Sequence, residues 1–128
     1  MKIDRLDHLV LTVKNIEITA NFYETVLGMK KVVFGDNRLA LQFGQQKINL
    51  HEVGNEFEPK AQNAISGSAD LCLITSMLIN EAIKHIESFG VQIIEGPVNR
   101  TGATGSILSV YFRDPDKNLI EVSNYVVT

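Results

Sequence analysis

Five side chains in this sequence, His8, His51, Asp70, Arg100 and Glu121, are of types that do chemistry with small oxygenated molecules. Two imidazoles and a carboxylate suit Fe(II), Mn, Ni or Zn and leave coordination positions open for substrate or water. Such an ion polarises a carbonyl or stabilises an enediolate-like charge. His51 raises a further question, because it stands in "KINLHEV" among Ile48, Leu50 and Val53. A buried imidazole without partners for its ring nitrogens costs free energy. Cys72, the only cysteine, sits in the apolar run "LCLI". It excludes an intrachain disulfide and reads as packing, not as a catalytic thiol.

The elements that would position these residues repeat. "HLVLTV" (8 to 13) alternates as a strand, and "NIEITANFYETVLG" reads as a helix capped by Asn15 and stopped by Gly28, with Ile16, Ala20, Tyr23 and Leu27 on one side. "MKKVVF", "RLALQF" and "KINLHEV" are three short strands separated by turn residues. The second half repeats this plan. "DLCLIT" is a strand, and "SMLINEAIKHIESFG" is a helix capped by Ser76, striped with Leu78, Ala82, Ile86 and Phe89, and stopped by Gly90. "VQIIEG", "SILSVYF" and "NLIEVSNY" follow as strands. A slide of 62 residues superposes the stop glycines and puts Asp70 on His8. The fold class is α+β: tandem βαβββ modules, about 1–54 and 69–128, joined by a polar linker over 55–68 and curling into a mixed-sheet cup with the helices outside.

Side-chain alternation then sorts the faces. Leu9, Leu11, Ile48, Leu50, Leu71, Leu73, Ile120 and Val122 go to the helices. His8, Asn49, His51, Asp70 and Glu121 go to the opposite, cup-lining face. A shift of 70 residues makes Leu50 equivalent to Ile120 and His51 to Glu121. Glu52 falls on the helix side or the surface, and His85 lies off its helix's apolar stripe as a solvated residue. Tyr111 and Tyr125 read as strand packing, and "VNRTGATGS" (98 to 106) as a mobile flap in which Arg100 meets an anionic substrate.

Composition narrows the function class. The formal charge is −3 with an isoelectric point near 5.6, and no basic block appears, so the sequence carries no electrostatic footprint for nucleic acid. The charged start "MKIDRLDHLV" is no apolar signal, and no run approaches membrane-spanning length. The expectation is a cytoplasmic protein.

The βαβββ duplication, with "LDHLVLTV" near the start and "YFRDPDKNLIEV" near the end, resembles the vicinal oxygen chelate superfamily, which includes glyoxalase I and extradiol dioxygenases. More narrowly, "KINLHEVGNEFEPKA" and "GPVNRTGATGSILSVYFRDPDKNLIEVSNY" are similar to the glyoxalase domain-containing protein 5 group. The resemblance implies a divalent metal (Zn, Ni, Mn or Fe(II)) held from the first and fourth strands of each module, with His8, His51 and Glu121 as ligands and Asp70 as a fourth candidate. It implies Glu121 or Asp70 as the proton-moving group of a glyoxalase-like lyase or isomerase. The alternatives are an extradiol-type ring-cleaving dioxygenase and a non-catalytic ligand-binding or resistance protein. Association as a homodimer is expected, since the linker permits exchange of halves.

Overall fold

The computed structural model describes residues 1–127. The chain divides into two compact units, Met1–Gly67 and a second beginning at Ser68. The first contains β1 (His8–Val13), α1 (Ile16–Thr25), β2 (Lys30–Phe34), β3 (Arg38–Phe43) and β4 (Gln46–Glu52). The second contains β5 (Asp70–Ile74), α2 (Ile79–Ser88), β6 (Glu95–Thr101), β7 (Ser106–Arg113) and β8 (Leu119–Tyr125). Each is a four-stranded mixed sheet: β1-β4-β3-β2 forms sheet A, and β5-β8-β7-β6 forms sheet B. The first strand of each runs parallel to the last, and the other neighbours are antiparallel. The fold is therefore α+β with the expected paired βαβββ plan.

In the first unit α1 packs on the sheet face carrying Leu11, Val13, Leu41, Ile48 and Leu50, all almost fully buried. Ala20 and Tyr23 are the helix's contribution, while Ile16 and Leu27 are only half-buried. Asn15 caps α1 as expected, its Oδ1 accepting from the Ile18 amide at 3.0 Å. Gly28, at φ 67°, ends the helical segment in the left-handed region that glycine tolerates best.

In the second unit Ile79, Ala82 and Ile86 of α2 join Val110, Phe112, Ile120 and Val122 in the core. The expected stripe is corrected here: Leu78 and Phe89 are exposed, because the helix starts at Ile79 and not at Ser76. The cap also comes from elsewhere. Asn124 of β8 accepts from the Ile79 amide at 2.8 Å and donates to the Thr75 and Met77 carbonyls at 2.9 and 2.8 Å. One side chain thus satisfies the helix's first turn and the loop before it.

The second strand of this unit is also displaced from its expected place. β6 occupies Glu95–Thr101 and not 91–96, because Val98, Asn99, Arg100 and Thr101 pair with Ser109, Leu108, Ile107 and Ser106 of β7. A bulge between Glu95 and Val98 re-aims the strand. At its centre is Gly96, where a Cβ would lie 2.5 Å from the Ser109 carbonyl oxygen. The anticipated flap over 98–106 contracts to 102–105, and Arg100 belongs to a strand.

The "DPDKN" hairpin between β7 and β8 is a clamp. Asp114 accepts from the Asp116 and Asn118 amides at 2.9 Å each and from Asn118 Nδ2 at 2.8 Å. Asn118 Oδ1 in turn accepts from the Ala69 amide at 2.9 Å, fixing the start of β5 one residue before Asp70.

Candidate functional site

The open face of sheet B carries Asp70, Cys72, Tyr111 and Glu121. Pairing sets Glu121 between Cys72 of β5 and Tyr111 of β7, with Asp70 diagonal to it, opposite Leu119. Ser109 and Ser123 face each other on the next rung. The Ser109 hydroxyl donates to Glu121 Oε2 at 2.6 Å, short as expected for a bond to a carboxylate. Since Ser109 spends its proton there, Ser123 donates to the Ser109 oxygen at 2.7 Å. Cys72 Sγ lies 3.4 Å from Ser123 Oγ. A file of hydrogen bonds thus runs across the sheet and ends at Glu121.

Cys72 corrects an expectation, for it is exposed on this face and not packed in the core. Partial desolvation by the surrounding sheet raises the thiol's pKa above the ordinary value, with Ser123 opposing and the Glu121 and Asp70 charges adding to the rise. It remains a thiol at neutral pH and a poor nucleophile.

Arg100 stands over the Tyr111 ring at 5.5 Å and donates from Nε to the Tyr111 hydroxyl at 3.1 Å. Its other contacts are the Glu95 carboxylate at 3.1 Å and the Asn99 carbonyl at 3.1 Å. Desolvation raises the Tyr111 pKa, opposed by Arg100, so the phenol stays protonated. Tyr111 is half-buried on β7 and its ring lies on the open face of the sheet. Tyr125 plays a different part, since its hydroxyl accepts from the Thr104 amide at 3.2 Å and holds the short 102–105 turn. A concavity of about 460 Å³ opens above this group, lined by Asp70, Glu95, Arg100, Tyr111 and Glu121, and an adjoining one of about 380 Å³ reaches Cys72 and Tyr125.

On sheet A, His8, Asn49 and His51 share the face away from α1, as the alternation requires, and Glu52 takes the other. His8 is exposed, with Nδ1 against the Asp7 carboxylate at 2.8 Å. That bond, ahead of any other influence, lowers the Asp7 pKa. Asp7 directly precedes His8 in the sequence, and this contact orients the imidazole.

His51 is 4% exposed, its ring edge-on to Phe57 at 5.5 Å. The guanidinium of Arg38 stacks over Phe57 at 4.5 Å and reaches His51 Nε2 at 3.5 Å. Arginine only donates, so Nε2 is the acceptor and Nδ1 carries the proton. Burial first and Arg38 second lower the His51 pKa, and the ring is neutral.

The strand register bears directly on the expected metal ligands. His8 pairs with Lys47, whereas His51 pairs with Thr12. Four residues of strand separate the two rungs, about 13 Å at ~3.3 Å per residue. Ligand nitrogens must approach a metal to about 2.0–2.1 Å, and side chains rising from one sheet at that separation cannot both do so. His8 and His51 of sheet A therefore do not fit as ligands of one ion. Among the described residues, no three His, Cys, Asp or Glu side chains are grouped as a metal would require.

The profile of the Glyoxalase/Bleomycin resistance protein/Dioxygenase superfamily matches residues 5–122. The chain belongs to this superfamily. Members commonly use divalent metals. The chain is 61% identical over 126 residues to Virulence protein STM3117 of Salmonella typhimurium, covering 98% of this chain and 88% of that protein. The integron cassette protein VCH_CASS1 of V. cholerae, whose structure is solved, is 67% identical, covers 98% of both chains and superposes with a TM-score of 0.97. Lactoylglutathione lyase of Agrobacterium tumefaciens (18% identical, 97% and 96% covered, TM-score 0.74) and the antibiotic binding protein TnmS3 of Streptomyces sp. CB03234 (20%, 98% and 99%, 0.77) share the fold. No helix is long and apolar enough to cross a membrane among the described residues.

Proposed function

We propose that this superfamily member is a glyoxalase-like lyase or isomerase that holds a small oxygenated substrate on the open face of sheet B and moves a proton with Glu121. The observation that carries the reading is the carboxylate's setting: it is half-buried, anchored by Ser109 at 2.6 Å, and borders a concavity of about 460 Å³. A fixed carboxylate beside an open space is the arrangement that proton abstraction next to a carbonyl requires. The Arg100–Tyr111 pair supplies a guanidinium and a protonated phenol, suited to a substrate carbonyl or carboxylate oxygen. Asp70, diagonal to Glu121 on the same face, is a second carboxylate available to the departing proton. All these roles belong to side chains of sheet B.

The test is turnover of the hemithioacetal formed from methylglyoxal and a thiol, followed in D2O so that proton movement is read as deuterium incorporation. Glu121→Gln keeps an acceptor for Ser109 and is expected to abolish both turnover and exchange at unchanged melting temperature. A Gln variant as active as the parent refutes the assignment. A parent that binds the substrate saturably but never exchanges its proton supports instead a ligand-binding protein. That second reading draws on one observation, that Arg100 and Glu121 already hold internal partners.

A further inference from the structure

Sheet A holds two polar atoms that the fold itself does not use. Asn49 and His51 are 5% and 4% exposed, and Asn49 Oδ1 and His51 Nδ1 have no hydrogen-bond partner. Such orphans are rare in native interiors. The register makes them neighbours, two residues apart on β4 and on the same face. One is an acceptor, the amide oxygen; the other is a donor, since Arg38 at Nε2 leaves the imidazole proton on Nδ1.

Their surroundings point to an anion. Arg38 stacks between Phe34 and Phe57 at 5.0 and 4.5 Å, and Lys47 lies 3.6 Å from the Phe34 ring centroid. Among the described residues neither cation has a carboxylate within ion-pair distance. The cross-strand neighbours of Asn49 are Val10 and Ala40, small or exposed residues that bring no polar atom to it. On sheet B the residue standing where Ala40 stands is Tyr111.

We propose that this face of sheet A binds a 2-hydroxycarboxylate, its hydroxyl donating to Asn49 Oδ1 and its carboxylate accepting from the Nδ1 proton of His51 beside Arg38 and Lys47. The ligand needs a donor and an acceptor close together, because the two orphans have opposite character and adjacent places. It needs a negative charge, because Arg38 and Lys47 flank them, while the one carboxylate that acts on His51, Glu56, is already paired with Lys60 at 3.3 Å. Phe34 and Phe57 add an apolar border that favours an aryl or alkyl substituent on the hydroxyl-bearing carbon. The inference rests on sheet A alone and does not depend on the reading of sheet B.

The experiment titrates the full chain, labelled with ¹⁵N, with mandelate and separately with phenylacetate, which differs by the hydroxyl alone. Mandelate is expected to shift the Asn49 side-chain amide saturably and to bind about tenfold tighter than phenylacetate, the worth of one good hydrogen bond. Asn49→Leu is expected to bring mandelate down to the affinity of phenylacetate. Because it removes a buried orphan amide at similar volume, it should leave the melting temperature unchanged or raised. Arg38→Met should weaken both acids alike. Equal affinities for the two acids, no saturable response to either, or unchanged mandelate binding by Asn49→Leu overturns the proposal. A melting temperature lowered by that substitution also overturns it, since Asn49 would then have a partner in the free protein.

Discussion

Replacing Asp114 by Ala tests how the fold delivers Asp70 to the open face of sheet B. The Asp114 carboxylate is 2% exposed and accepts three hydrogen bonds of 2.8–2.9 Å, two from backbone amides and one from the Asn118 side chain. An unsatisfied buried donor costs about 1–3 kcal/mol. Asp116 is itself buried, 8% exposed, so all three donors share the cost at about 1 kcal/mol each. The expected loss is about 3 kcal/mol, or roughly 10 °C in melting temperature at ~3–4 °C per kcal/mol for a domain of this length. Urea unfolding followed by circular dichroism measures the first quantity and thermal scanning the second. A local effect is expected too. Asn118, freed from Asp114, loosens its hold on the Ala69 amide, and hydrogen exchange at Ala69 should accelerate more than exchange in β7. Asp114→Asn should recover only part of the loss, because its amide presents a donor where Asn118 already donates. A loss below about 1 kcal/mol, or unchanged relative exchange at Ala69, refutes the clamp.

Two further outcomes follow from the same contacts. Asn124→Ala removes the three hydrogen bonds that start α2 and should cost about 2–3 kcal/mol, with the greatest gain in hydrogen exchange at Ile79; a loss typical of a surface Asn would contradict the capping role. His51 makes stability depend on pH. Its folded pKa lies below the ordinary 6.5, so the unfolded chain takes up the proton first. The contribution is complete above about pH 6.5, shrinks as pH falls through that value, and is lost below the folded pKa. Melting temperatures measured downward from about pH 7.5 should show this decline, and His51→Leu should flatten it.

The order and type of the elements were legible because apolar alternation and helical spacing are local properties, readable within ten residues. The Asn15 cap and the left-handed Gly28 were legible for the same reason. The start of α2 was not, because its capping group is Asn124, 45 residues from the amide it satisfies. β6 was misplaced because "VQIIEG" has the apolar character of a strand, whereas the bulge at Gly96 and the ladder to β7 select the polar Val98–Thr101. Cys72 looked like packing because its neighbours are apolar, yet Leu71 and Leu73 take the core side and alternation leaves the sulfur outside. The Ser109–Ser123 file is not legible in the sequence, since serines within strands carry no local signal of what they face.

The histidine in "KINLHEV" separates what alternation can decide from what it cannot. A shift of 70 residues makes His51 the equivalent of Glu121, but pairing of His8 with Lys47 and of Asp70 with Leu119 makes the shift 72 and the equivalent residue Asn49. The cause lies in the hairpins: Gly44 and Gln45 alone join β3 to β4, while residues 114–118 join β7 to β8. Both shifts are even, so the face came out right while the rung came out wrong. A face needs only parity, which one strand's pattern supplies; a rung needs the length of every turn between the strands compared. Metal coordination depends on the rung. Hence His51 stands on the predicted side of its sheet, four residues of strand away from the rung where His8 could share a ligand with it.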